Sequence, residues 1–268
     1  MKSPVFFIVL MIAVAALALI FSPSARAFAK EVGFRASQMV FGHMARNGLV
    51  LGAYNFPEGA KFYYSKTFAA AKTVEAATNA NPTVVTSTAH GYVDNDLLLV
   101  TDAGWEDATD TVWKADQQST DTLLLLGLDT SNTNFYAAGG MVGASMQKIS
   151  TWVEIPQVLT IQTSGGDPRF TPVSPLGRRN SFNIPTGFNP ISTTLTIGHD
   201  PANSTYQAML GISRALEKVA FRLVLNGGAQ MLGYGYMATS EVPSLNVNQV
   251  NSVTVAFAMQ GRQISYAS

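Results

Sequence analysis

The chain contains no cysteine, which excludes a disulfide framework, thiolate zinc sites and a cysteine nucleophile. Histidine is scarce as well. His43, His90 and His199 are scattered, so a histidine-rich metal centre is not expected. Charged residues make up 13% of the chain against 47% hydrophobic ones. The usual charged share is about a quarter, so much of this surface is either uncharged or covered by neighbours. Clustered positive charge is missing, because Arg178-Arg179 is the one adjacent basic pair. Tight gripping of nucleic acid rests on neutralising phosphates and is therefore not expected, although a weakly charged surface past which DNA slides is compatible.

Recognisable catalytic patterns are also lacking. Gly143-Ala144-Ser145-Met146-Gln147 lacks the second glycine of a nucleophile elbow. His199-Asp200 reads as a turn histidine beside a helix-start aspartate rather than part of a triad. Gly165-Gly166 lacks the Lys-Ser/Thr of a phosphate loop. Asp94 and Asp96 read as solvated turn carboxylates, since the glycine and distal glutamate of a calcium loop are absent. Carboxylate pairs that meet only in space leave no mark along a chain. No catalytic residue, cofactor or metal ligand is assigned, and the chain is not read as an enzyme.

What the chain does have is 268 residues, enough for one large all-β domain or for one domain with a smaller one inserted. Its formal net charge is zero but unevenly spread. Residues 81–140 hold nine acidic side chains and only Lys114 as a base, a net of −8, whereas residues 141–268 carry +3. This asymmetry points to two differently placed modules. Val5 to Phe21 is an uncharged run of 17 apolar or small residues, preceded by Lys2 and followed by Ala25-Arg26-Ala27. It reads as a secretory signal, as a signal anchor, or as a leader upstream of a natural start at Met44. The expected organisation is a leader and linker over 1–43, an arm and first strand over 44–80, an acidic β-module over 81–140 and a β-sandwich over 141–268.

Within 81–140, strands are expected at Thr83–Thr88, Leu97–Thr101, Thr111–Ala115 and Thr122–Leu128, between turn-forming stretches. Ile149–Ile155 and Val158–Thr163 follow as strands. A long irregular passage then runs from Gly165 to Gly187, and loops of that length usually have a task such as reaching another subunit. Ile191–Ile197 alternates as a strand and leads into the stretch that organises the rest.

That stretch runs from Asn203 to Gly261. Met209, Ile212, Leu216 and Val219 make an apolar stripe over a helix expected at 203–219, capped by Asn203 or Ser204. Phe221 to Leu225 reads as a strand, with Asn226-Gly227 as a type I′ turn. Tyr234 and Tyr236 share one face of the return strand, with Gly233 and Gly235 on the other. Val253, Val255, Phe257 and Met259 mark a third strand. Asn226, Gly227, Tyr234 and Tyr236 are the candidate assembly residues.

The order of these parts resembles the tail tube proteins of long-tailed bacteriophages, the family that includes the phage lambda tube subunit. The resemblance is carried by the strand before His199-Asp200, the amphipathic helix, Phe221-Arg222-Leu223-Val224-Leu225-Asn226-Gly227-Gly228, Gly233-Tyr234-Gly235 and Val250 to Phe257. Ser174-Pro175-Leu176-Gly177-Arg178-Arg179, Ile184-Pro185-Thr186-Gly187 and Lys61 to Lys66 extend it over most of Met44 to Gly261. It implies a mainly β tail-tube fold, a β-sandwich with one flanking helix, here carrying an inserted small β-module. The implied function is that of a structural virion protein whose hexameric rings stack into the conduit for DNA ejection. Implied partners are copies of itself, the tape-measure, tail terminator and tail-tip proteins, and DNA in transient non-specific passage. The mature protein would meet no membrane, and assembly would take place in the bacterial host cytoplasm. A competing reading is an exported glycan-binding or fibre subunit, motivated by the leader and by Trp105 and Trp113 as exposed aromatics. A third is a tail-associated hydrolase using His199.

Overall fold

The computed structural model describes residues 58–267; the leader, the Met44 start and most of the expected arm lie outside them. In chain order the first strands are β1 (Lys61–Ser65), β2 (Lys72–Thr73), β3 (Ala76–Ala77), β4 (Thr83–Thr86), β5 (Leu97–Thr101), β6 (Thr111–Gln117), β7 (Thr122–Leu126) and β8 (Ser145–Lys148). Next come β9 (Val153–Glu154), β10 (Val158–Ser164), β11 (Pro168–Val173), β12 (Phe182–Phe188) and β13 (Ser192–Gly198). Helix α1 (Ser204–Ala215) precedes β14 (Lys218–Val224), β15 (Gln230–Thr239), β16 (Ser252–Met259) and β17 (Ile264–Tyr266). The fold is mainly β, with one helix among the described residues.

Two antiparallel sheets form a sandwich. The first has eight strands in the order β10-β13-β16-β15-β14-β1-β9, with β17 pairing the start of β15. The second has seven, in the order β2-β8-β5-β6-β7-β4-β3. Alternation along the strands explains the layering. Phe62, Leu195, Phe221, Val255 and Phe257 point to the face of the first sheet that α1 covers with Tyr206, Met209, Leu210 and Ile212. Phe62 and Phe221 stack there at 5.7 Å with Phe257 tilted against both. Burying each such ring contributes about 1.5–3 kcal/mol. On the opposite face, Ala220 and Leu232 meet Leu99, Val112 and Ile149 of the second sheet's side. β14 is thus covered on both faces, which is why Val219, Ala220 and Phe221 run apolar without alternation. The far face of the second sheet has its own core around Leu98, Trp113, Leu123 and Leu125.

Several expectations are corrected. The helix ends at Ala215, not Val219: Leu216 turns left-handed at φ 53°, and Lys218 already belongs to β14. Asn203 is the cap, its side chain accepting from the Thr205 and Tyr206 N–H groups at 2.9 and 3.3 Å. Ile149–Ile155 is not one strand, because only Val153–Glu154 pairs continuously, with an isolated bridge at Ile149. The passage after Gly165 is not irregular: β11 and β12 form a two-stranded ribbon whose prolines, Pro168, Pro172 and Pro185, are tolerated because among the described residues each strand has only one partner. Trp105 and Trp113 are 3% and 0% exposed, so they are core residues and offer no glycan platform.

Candidate assembly surfaces

The β14–β15 hairpin carries the four residues singled out in the sequence. Its turn is not type I′. The Gly228 N–H donates to the Leu225 carbonyl at 2.9 Å and the Leu225 N–H to the Ala229 carbonyl at 2.8 Å. The positive φ falls on Gly228, at 84°, and not on Asn226 or Gly227. This is the three-residue hairpin in which a type I turn is followed by a left-handed glycine bulge. Asn226 lies against the Gly59 turn, 3.5 Å from where a Cβ on Gly59 would stand.

Tyr234 and Tyr236 are not at this tip. Tyr234 is four residues along β15 from its first residue, about 13 Å at strand rise. Its ring sits edge-on to Phe68 at 6.1 Å in the layer between the sheets. Burial, with the Asp110 carboxylate adding to it, pushes its phenol above the ordinary range. Tyr236 is 40% exposed. Lys218 spans both rings, its Nζ 5.7 and 5.6 Å from their centroids, and reaches Asp110 at 3.8 Å. The structure therefore brings Tyr234, Tyr236 and Lys218 together and leaves Asn226 and Gly227 at the far end of the hairpin. Gly233 and Gly235 face the opposite side, where a Cβ would stand 2.2 Å from Phe221 Cζ and 2.0 Å from the Ala258 carbonyl oxygen.

Three further surfaces hold none of the four candidate assembly residues, although the passage that forms the second is expected from sequence to reach another subunit. One is the edge of the first sheet. Among the described residues β10 pairs only with β13; it holds no charged residue, and exposes Leu159, Thr160, Gln162, Thr163 and Ser164. Edge strands in monomers are usually blunted by charge, proline, brevity or a bulge; β10 has no charge, no proline and seven residues, and its one irregularity is a register shift between Val158 and Thr160, which leaves Thr160 to Ser164 in regular pairing. The second is the ribbon, where Phe170, Phe182, Ile184 and Phe188 are exposed and Leu176 at its tip is fully so. Arg178 lies over the Phe182 ring at 5.8 Å. The third is the loop between β15 and β16, where Val242, Leu245, Val247 and Val250 are all exposed. Apolar side chains scattered singly need no explanation, but grouped ones mark contact surfaces. In the ribbon and the β15–β16 loop a sequence signal was present, as apolar residues set among prolines and asparagines, but it reads equally as loop; β10 is expected as a strand, and only the pairing shows that it lies at an edge.

The residues weighed for chemistry are otherwise engaged. Asp200 accepts the Ala202 N–H at 3.1 Å in the turn before α1, and His199 packs edge-on to Tyr206 at 5.5 Å with its Nδ1 buried and unpartnered. Asp94 accepts the Gln117 N–H at 2.8 Å, and Asp96 pairs with Lys148 at 2.7 Å. Ser145 opens β8, its backbone paired with Thr73 and Thr101. Among the described residues no three acidic or histidine side chains come together as a metal site would need. Nor is any helix there long and apolar enough to cross a membrane.

Residues 103–268 match the family described as phage tail tube protein, TTP. The match begins just after β5 and takes in β6, β7 and β8 of the second sheet and every strand of the first but β1. Among solved structures the chain is similar to the SPP1 tail tube determined by solid-state NMR and cryo EM. That similarity has a TM-score of 0.33 and 12% identity, covering 44% of this chain and 70% of that one. It is also similar to the tail of an empty GTA particle, with a TM-score of 0.34 and 15% identity, covering 44% of this chain and 88% of that one. No curated protein matches.

Proposed function

The chain belongs to the phage tail tube protein family, and from that premise we propose that it polymerises as stacked hexameric rings forming the conduit through which DNA leaves the capsid. The observation that carries this reading is the uncharged, open edge of β10. Pairing of that edge with a neighbouring copy covers its free N–H and C=O groups, and a closed ring leaves no edge behind. The ribbon and the β15–β16 loop, with their grouped exposed apolar side chains, bridge one ring to the next. The β14–β15 hairpin, from Asn226 and Gly227 to Tyr234 and Tyr236, orients the strands that meet the neighbour.

In this reading residues 81–140, which supply β4 to β7 of the second sheet, are an insertion on the tube domain and carry the acidic excess. A net −8 over 81–140 suits the outside of the tube rather than a channel for DNA, and like charge there discourages tubes from bundling. In this reading the protein is a virion component assembled in the host cytoplasm, without catalysis and without a membrane. Its further partners are the tape-measure, terminator and tail-tip proteins, with DNA in transient passage. Electron microscopy of purified protein tests it. Rings or hollow tubes are expected. A strictly monomeric protein at high concentration, even with neighbouring tail components supplied, overturns it.

A further inference from the structure

The two sheets do not close on each other along their whole width. Beside the apolar layer of Leu99, Val112 and Leu232 they leave a cleft of about 360 Å³. Asp96, Lys114 and Lys148 wall it from the second sheet, Arg222 and Gln230 from the first, and Trp152 from the chain that crosses between them. Three cations thus face one carboxylate. That carboxylate is already occupied, with Oδ1 2.7 Å from Lys148 Nζ and Oδ2 accepting the Val93 N–H at 3.0 Å. Lys114 and Arg222 have no acidic partner among the described residues.

Arg222 is the more unusual of the two. It occupies the middle of β14, opposite Tyr63, and its guanidinium is held against the rings of Tyr63 and Trp152, 4.9 Å from each. Stacking of this kind accounts for the faces of the guanidinium. It does not account for the N–H donors along its edge, and Nε is buried without a partner among the described residues. Burial also lowers its pKa from the ordinary guanidinium value. An anion in the cleft would remove both deficits, because a guanidinium fork matches carboxylate and phosphate oxygens and its charge strengthens each hydrogen bond.

We propose that this cleft is an anion site taking one carboxylate or phosphate group, with Arg222 supplying N–H donors and Lys114 the second positive charge. Two sources supply that chemistry: a free small anion, or an acidic side chain of a second copy. The acidic segment of a second copy exposes Asp94, Asp102, Glu106, Asp121 and Asp129. Only the second source rests on the tube reading.

The test is titration calorimetry of the full chain, kept dissociated, with inorganic phosphate and with citrate at fixed ionic strength, chloride serving as the control. One saturable site per chain is expected, and Lys114→Gln should weaken it about tenfold, the loss of one charge-assisted contact. The Lys114 ammonium is in no hydrogen bond or ion pair among the described residues that this change would break, and the melting temperature of the unliganded variant checks that the change leaves the fold intact. Arg222→Lys keeps the charge and removes the fork, and should weaken binding as well. Assembled tubes separate the sources. Binding retained in tubes identifies a free anion, whereas binding lost on assembly identifies the neighbouring copy. Absence of binding by the dissociated chain, or binding indifferent to Lys114→Gln, overturns the proposal. A chain that binds phosphate but never assembles sinks the tube reading and leaves the site standing.

Discussion

Leu216 holds φ 53° and ψ 39° at the end of α1, where its N–H and that of Glu217 close the helix onto Ser213 and Ile212. Glycine is the usual residue for this left-handed closure, and a side chain there costs about 1–2 kcal/mol. Leu216 is 74% exposed, so within the subunit it recovers little of that cost. Leu216→Gly should therefore raise subunit stability by about 1 kcal/mol in urea unfolding. If the leucine is kept for a neighbouring copy, the same variant should assemble less readily. Tyr266 presents the opposite case, a residue whose polar tip is fully used. Its hydroxyl donates to the Leu126 carbonyl at 2.8 Å and accepts the Lys114 N–H at 3.0 Å, pinning β17 of the first sheet to β6 and β7 of the second. Tyr266→Phe leaves both backbone groups short of a partner and should cost about 1–3 kcal/mol. Burial pushes the phenols of Tyr92, Tyr136 and Tyr266 up to about 12, from an ordinary 10.0. Between those values the unfolded chain has released the proton and the folded chain has not. Stability should therefore fall as pH rises from about 10 to about 12, and more shallowly in Tyr266→Phe, as thermal melts across that window would record.

At the scale of elements, the β14–β15 hairpin shows where sequence reasoning succeeds and where it stops. Alternation placed β15 and β16 within a residue or two, because each has one face against the Phe62–Phe221–Phe257 core and the other more open. The same rule failed at Leu216 and Val219. Their spacing continues the helical stripe, but β14 pairs with both β1 and β15, and that pairing claims Lys218 onward regardless of helical period. The turn was legible as a turn but not as a type. Asn226-Gly227-Gly228 offers two adjacent glycines, and whichever takes the positive φ sets the register. The ribbon was misread for a related reason: four prolines between 168 and 185 argue against a central strand and say nothing against an isolated pair. Among the candidate residues, Tyr234 and Tyr236 were correctly placed on one face, while their distance from Asn226 depends on strand length that only the pairing reveals. A sharper test of the hairpin follows. Gly228→Val puts a β-branched residue at φ 84° and should cost about 1–2 kcal/mol or more, whereas Gly227→Ala, at a position without positive φ, should change stability by less than about 1 kcal/mol. Equal losses in denaturant unfolding would mean that the turn has a different geometry in solution.

For the whole molecule, the open question is which surfaces are finished and which await a second copy. The face of the first sheet under α1 is finished, and so, outside the Arg222 cleft, is the layer between the sheets, where Lys218 reaches Asp110 at 3.8 Å, Arg262 reaches Asp107 at 3.5 Å and Tyr266 crosses over. The edge of β10 is not finished. It is seven residues long and uncharged, with Leu159 51% exposed, the profile of a strand meant to be paired. Lysines introduced at Thr160 and Gln162, both exposed and both facing solvent in the lone subunit, would set repelling charge along that edge without touching the core. Surface substitutions of this kind usually alter stability by no more than about 0.5 kcal/mol. The double variant should therefore melt with the unmodified chain yet fail to form rings or tubes under the electron microscope, and sedimentation should find it monomeric where the unmodified chain is not. Tubes of normal length from the double variant would show that β10 is not the joining edge, and ring closure would then have to be sought at the ribbon or at the β15–β16 loop.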